Sequence, residues 1–167
     1  MCSSDLFDDH VDHDLPAVVE FIKHITNKGQ VSWLGLCLGA DVALAYLGKL
    51  HGDGGVARLA TIGGQATMTP HDEFTAVLED LIAERDFQLS RQPRSMEDAL
   101  QRLEGFLFER SHLAPSTLER WRTAGRDAPA TGVLTQLLTR CRAGRLVDSR
   151  GKIDYSGRLR MIRCPCL

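Results

Sequence analysis

The chain has 167 residues, of which 43% are hydrophobic and 25% are charged, as is typical of one soluble globular domain with a sizeable core. Its net charge of -2 gives no electrostatic reason to expect a nucleic acid or an anionic membrane as partner. No apolar run approaches the roughly 20 residues of a membrane helix. The five cysteines lack framework-like spacing, which favours free thiols and a cytoplasmic location.

The first predicted element is a helix over residues 14–26, because apolar side chains recur on one face at helical spacing. Asp14 is the expected N-cap, and Pro16 is tolerated in the first turn, where its missing N–H is not needed. Gly29 is expected to end the helix in the left-handed conformation. The apolar face consists of Leu15, Val18, Val19, Ile22 and Ile25.

Two short apolar runs predict strands buried on both faces, Val31–Leu36 and Val56–Ile62, with a helix over residues 40–50 between them. This order predicts a right-handed βαβ crossover, and so an α/β fold class with a partial doubly wound parallel sheet. Only helices are predicted between residues 71 and 142, which indicates a helical insertion between two strands. These helices are expected at residues 71–85, 95–109, 115–123 and 130–142.

The chemistry of the chain centres on Gly35-Leu36-Cys37-Leu38-Gly39, where the first strand turns into a helix. A sharp strand–turn–helix connection needs small flanking residues, which Gly35 and Gly39 provide, and it lifts one side chain off the sheet. That side chain is Cys37, at a helix N terminus whose unpaired N–H groups and dipole favour a thiolate. Cys37 is therefore the candidate nucleophile, and the backbone N–H of Leu38 is the candidate oxyanion donor.

Other interpretations of these residues are less specific. A cysteine in a tight turn is commonly a small buried residue without chemistry, and this alternative stays open. A phosphate or dinucleotide loop is disfavoured, because the two glycines do not form G-x-G-x-x-G and no G-K-[ST] follows. The acidic run at residues 8–14 and the Cys164-Pro165-Cys166 triplet lack the ligand spacing of a metal site. No metal and no cofactor are expected.

Several segments resemble the centre of the α/β-hydrolase fold superfamily. They are the helix start Asp14-Leu15-Pro16-Ala17, the elbow around Cys37, the strand segments Val31-Ser32-Trp33-Leu34 and Leu59-Ala60-Thr61-Ile62, and the lead-in Ile162-Arg163-Cys164-Pro165. Most of the superfamily has serine at the position of Cys37. Cysteine there, in a lipase-like box, is similar to polyhydroxyalkanoate synthases, and it also occurs in dienelactone hydrolases.

The resemblance implies a core segment with the nucleophile elbow at residues 7–64 and a helical cap at residues 65–157. Residues 158–167 would then be the start of the next core strand, truncated. Residues 1–6 are interpreted as a non-native, adapter-derived tail.

The resemblance implies a hydrolase of the esterase or lipase kind, acting through Cys37 and an acyl-enzyme on a small or polymeric ester or thioester. A polyhydroxyalkanoate-synthase-like acyltransferase and a non-catalytic binding protein of the same fold are the alternatives. In the superfamily the catalytic acid and histidine follow the nucleophile in that order, and neither position is present in these 167 residues. His51, His71 and His112 are interpreted as solvated or capping residues. The chain is therefore expected to be an inactive internal fragment, and no oligomeric state is predicted.

Overall fold

The structure is a computed structural model that describes residues 6–50, 53–67, 72–88, 101–102, 104–105, 109–124 and 131–167. It divides into two compact units, Met1–Pro70 with Thr139–Leu167, and His71–Leu138. The sequence predicts the helical insertion at residues 65–157, whereas the residues from Thr139 onward pack in the first unit. Of the predicted adapter-derived tail, only Leu6 lies within the described residues.

The N-terminal helical segment starts earlier than predicted and contains a π-helical turn. A helical turn at Phe7–Asp9 continues through π-helical His10–Asp14 into the α-helix Leu15–Thr26, called α1. The prediction that Asp14 caps this helix is wrong, since its φ of -68° and ψ of -47° are helical and its side chain caps no backbone N–H. Pro16 has no N–H to donate and its ring crowds the carbonyl one turn earlier, and a wider π-turn accommodates both effects.

The end of α1 also differs from the prediction. Asn27, not Gly29, takes the left-handed conformation, with φ 52° and ψ 38°. Asparagine tolerates this region because its short polar side chain bonds locally, so a glycine is not required at the helix end.

The predicted parallel βαβ arrangement is confirmed. Strand β1 is Val31–Leu36, helix α2 is Leu38–Leu50 and strand β2 is Val56–Ile62. The two strands pair in parallel, with Leu36 opposite Ile62 at their carboxyl ends. Helix α2 begins two residues earlier than predicted, directly after Cys37.

The prediction that both strands are buried on both faces is wrong. Leu34 is 68% exposed, Leu36 67% and Ile62 57%. Within the described residues β1 pairs with β2 alone, whereas β2 also pairs in parallel with the chain around Cys166. One edge of β1 therefore borders an open groove, lined in part by Val18 and Ile22 of α1.

An apolar cluster of buried side chains lies in the first unit. Helix α2 supplies many of its members, and the last part of the chain supplies Leu146 and Tyr155. The predicted apolar face of α1 is only partly covered, because Leu15 and Val19 are buried while Val18, Ile22 and Ile25 are exposed. Besides Leu15, Val19, Leu146 and Tyr155, the members of the cluster are Phe7, Val11, Val42, Ala43, Ala45, Tyr46, Leu47, Val56 and Leu59.

In the second unit, the regular elements that the structure describes are all helical. The helices predicted at residues 71–85, 115–123 and 130–142 are confirmed within three residues at each end, while most of residues 95–109 lies outside the described part. The helix predicted at residues 130–142 ends in the first unit. The elements are α3 (Asp72–Gln88), a 3-10 turn (Arg110–His112), α4 (Pro115–Ala124) and α5 (Thr131–Ala143).

Candidate active site

Cys37 lies at the junction of β1 and α2, in a backbone conformation that residues other than glycine rarely adopt. Its φ is 50°, in the left-handed region, which costs a non-glycine residue about 1–2 kcal/mol. Its N–H donates to the Ile62 carbonyl at 2.8 Å, and its carbonyl accepts from the N–H groups of Ala40 at 2.9 Å and Asp41 at 3.2 Å. The side chain is exposed. The backbone around Cys37 is therefore fixed by three hydrogen bonds while its sulfur remains accessible.

The tightness of the turn depends on Gly35 and not on Gly39. A Cβ at Gly35 would lie 2.6 Å from the Cα of Ala40 and 2.8 Å from its nitrogen, and backbone atoms have no room to yield. A Cβ at Gly39 would meet nothing within 4 Å. A third glycine, Gly64, also approaches the turn, with its hypothetical Cβ 2.7 Å from the Cβ of Ala40. The expectation that both flanking positions must be small thus has a steric basis only at Gly35.

Leu38 is the first residue of α2, so its N–H belongs to the turn that has no acceptor within the helix. Its side chain is 38% exposed. Cys37 and Leu38 are thus adjacent at an accessible helix N terminus, which is the arrangement that favours an anion.

Sequence reasoning missed a buried ion pair one turn into α2. Arg140 Nη2 of α5 donates to Asp41 Oδ2 at 2.7 Å, with 1% and 12% of the two side chains exposed. The other carboxylate oxygen accepts the Gln65 N–H at 2.7 Å. The Arg140 guanidinium also lies 4.5 Å from the centroid of the Phe7 ring. The partners are 99 residues apart in the chain, and no local pattern in the sequence indicates their contact.

The described histidines lie in other surroundings. The His10 Nδ1 atom forms a hydrogen bond with Asp14 Oδ2 at 2.8 Å. His13, His24 and His112 are exposed. His51 and His71 lie outside the described residues. Within the described residues, no hydrogen bond joins a histidine or a carboxylate to the Cys37 sulfur.

The acidic run at residues 8–14 is divided among separate contacts. Asp8 accepts the Ser149 N–H at 2.8 Å, Asp12 pairs with Lys49, and Asp14 pairs with His10. Among the residues that the structure describes, no group of three or more histidine, cysteine or acidic side chains is placed to hold a metal ion.

The cysteines differ in their surroundings. Cys141 is buried, and burial raises the pKa of its thiol, while the nearby Arg140 charge acts in the opposite direction. Cys166 is exposed and Cys164 is half-buried. Burial also raises the pKa of Cys164, and the neighbouring Cys166 adds to this effect.

Comparison with known proteins supports the fold. No family model and no curated protein sequence matches the chain. The solved structure of an esterase from Exiguobacterium antarcticum is similar over 98% of this chain, with a TM-score of 0.53 and 18% sequence identity. The chain spans 55% of that esterase. At this identity the likeness supports the fold alone, an α/β-hydrolase-like fold.

None of the helices in the described parts of the chain is both long enough and apolar enough to cross a membrane.

Proposed function

We propose that this chain belongs to an esterase-like hydrolase of the α/β-hydrolase fold in which Cys37 is the nucleophile. The observation that carries the proposal is the strained, positive-φ backbone of Cys37 between a parallel strand and a helix, with its sulfur exposed. Strain of this kind persists where the surrounding structure enforces it, and it is concentrated at functional sites. The substrate class is an ester or thioester whose carbonyl reaches the N terminus of α2.

The proposed reaction begins with attack of the Cys37 thiolate on the carbonyl carbon. A C–S bond forms and the negative charge moves to the carbonyl oxygen, where the Leu38 N–H is placed to donate. The tetrahedral intermediate collapses, the bond to the leaving alcohol or thiol breaks, and the leaving group takes up from solvent the equivalent of the proton that the Cys37 thiol released. Water then attacks the thioester on Cys37, releasing the carboxylic acid and restoring the thiol.

A hydrolase of this type needs a histidine base oriented by a carboxylate. No such pair lies at Cys37 among the described residues, so we propose that these 167 residues undergo acylation without sustained turnover. The cap of the fold we assign to residues 65–157, which include the described helices of the unit His71–Leu138. An acyltransferase shares the first half of the reaction, and the thiol nucleophile is the feature that favours it, because a thioester can pass its acyl group to an alcohol.

The experiment is a stopped-flow assay with p-nitrophenyl butyrate at neutral pH. We expect a burst of about one p-nitrophenolate per chain followed by a negligible steady rate, as for an accumulating acyl-enzyme. Cys37→Ala abolishes the burst, whereas Cys166→Ala, which removes another exposed thiol, preserves it. A burst that survives Cys37→Ala contradicts the proposal, as does its absence from the unaltered chain.

Two further outcomes refine the assignment. Sustained hydrolysis that is lost in Cys37→Ala would contradict the expected lack of turnover while supporting the nucleophile. Faster release after addition of an alcohol, with the butyrate ester of that alcohol as product, would favour the acyltransferase over the hydrolase.

A further inference from the structure

The turn that follows β2, residues 63–65, lies against the first turn of α2. The hypothetical Cβ of Gly64 would fall 2.7 Å from the Ala40 Cβ, and the Gln65 N–H donates to Asp41 Oδ1 at 2.7 Å. One residue before this turn, Ile62 accepts the Cys37 N–H. The turn thus lies beside Cys37 at the carboxyl ends of the strands, where open α/β sheets bind their ligands.

The Asp41 carboxylate that holds this turn is itself held from the other side. Arg140 is 1% exposed, donates through Nη2 to the second oxygen of Asp41 and lies over the Phe7 ring. A carboxylate this deeply buried is costly unless it is paired, because its hydration is lost. The Nε of Arg140 has no hydrogen-bond partner among the described residues. The guanidinium is therefore held by the Asp41 carboxylate together with the face of the Phe7 ring.

We propose that Asp41 and Arg140 are positioning residues that latch the turn at residues 63–65 against the N terminus of α2 and so keep Cys37 in its strained conformation. This inference rests on the proposed function, in which Cys37 is the nucleophile. A strained backbone persists only when its surroundings determine it. The latch adds a side-chain connection to the backbone bond between Cys37 and Ile62.

The chain provides a matched control in Asp148. Asp148 is 8% exposed, as is Asp41, and its carboxylate accepts the N–H groups of Lys152 and Ile153 at 2.6 and 2.8 Å. Asp148→Asn therefore removes a similarly buried charge from the same unit without touching the turn at residues 63–65. The variants Asp41→Asn and Arg140→Met open the latch from either side, and Arg140→Lys retains the positive charge.

The test measures, on the full chain, amide hydrogen exchange at Gln65 and the iodoacetamide reactivity of each cysteine, resolved by mass spectrometry. We expect Asp41→Asn and Arg140→Met to accelerate Gln65 exchange about tenfold or more through local opening. The ratio of Cys37 to Cys166 alkylation should fall about threefold or more as the strained turn relaxes. Asp148→Asn should change neither quantity, and Arg140→Lys should lie closer to the unaltered chain.

Several results would overturn the latch. Unchanged Gln65 exchange in both Asp41→Asn and Arg140→Met is one, and an equal effect of Asp148→Asn is another. A third is faster exchange across the whole first unit with faster Cys141 labelling, which indicates general loss of stability. If Gln65 exchange responds as expected but Cys37 of the unaltered chain labels no faster than Cys166, the proposed nucleophile fails and the latch itself is supported.

Discussion

The N–H of Cys37 donates to the carbonyl oxygen of Ile62 at 2.8 Å, which joins the residue after β1 to the last residue of β2. This bond continues the parallel ladder one step past the pair Leu36–Ile62. The chain must then turn at once into α2, and the positive φ of Cys37 is the result. Its accessible sulfur follows from the register of the sheet as well as from the local sequence.

The first prediction concerns the two glycines of the elbow. Gly35→Ala should lower the free energy of unfolding by about 2 kcal/mol or more, because its methyl group would overlap the backbone of Ala40. Gly39→Ala should be neutral or stabilising by up to about 1 kcal/mol, because the site is open and helical. Urea denaturation of both variants measures the difference. Equal effects of the two substitutions would contradict the steric account.

The second prediction concerns the strain at Cys37. Cys37→Gly should be more stable than Cys37→Ala by about 0.5–1 kcal/mol, because glycine adopts a positive φ without penalty. The matched pair at Cys141, inside α5, should behave in the opposite way, with the glycine variant about 1 kcal/mol less stable than the alanine variant. Chemical denaturation of the four variants measures both differences. The same sign at both positions would show that the elbow is not strained.

The third prediction concerns alkaline pH. Burial raises the pKa of Tyr155, and the nearby Asp8 carboxylate, which accepts the phenol O–H at 3.3 Å, raises it further. The unfolded chain releases this proton near pH 10, whereas the folded chain retains it. The contribution of Tyr155 to the free energy of unfolding is therefore fully present below about pH 10 and is lost as the pH rises above it.

Tyr155→Phe should flatten this dependence. We expect the loss of unfolding free energy between about pH 8 and pH 10.5 to be smaller in this variant than in the unaltered chain. Burial also raises the pKa of Tyr46, so a residual decrease should remain in the variant. Urea titrations at the two pH values provide the measurement, and an identical decrease in both proteins would rule out this role of Tyr155.

The sequence predicted the elements whose signals are local. The bounds of β1 and β2 follow from two short, mainly apolar runs, and the Gly-x-Cys-x-Gly pattern marked the strand–helix junction. The helical segment predicted from residue 14 instead starts at Phe7. Pro16 ordinarily lies in the first turn of a helix, but the π-helical turn ahead of it lets the helical segment continue past it.

Features that depend on distant partners were not predictable. The exposure of Leu34 depends on the strands that flank β1, and an apolar run alone does not reveal them. The contact of Asp41 with Arg140 joins residues 99 positions apart, and the close approach of Gly64 to Ala40 depends on the sheet register. The strand–helix junction at Cys37 was therefore predictable from the sequence, while the distant residues packed around it were not.

The most direct test of the central claim, that Cys37 is a reactive thiol at a helix N terminus, is site-resolved iodoacetamide labelling of the native chain at neutral pH. Cys37 should label ahead of Cys166, which is also exposed, and far ahead of Cys141, which is buried and whose pKa is raised by burial. Unfolding in urea should equalise the rates. Labelling of native Cys37 no faster than Cys166 would contradict the account.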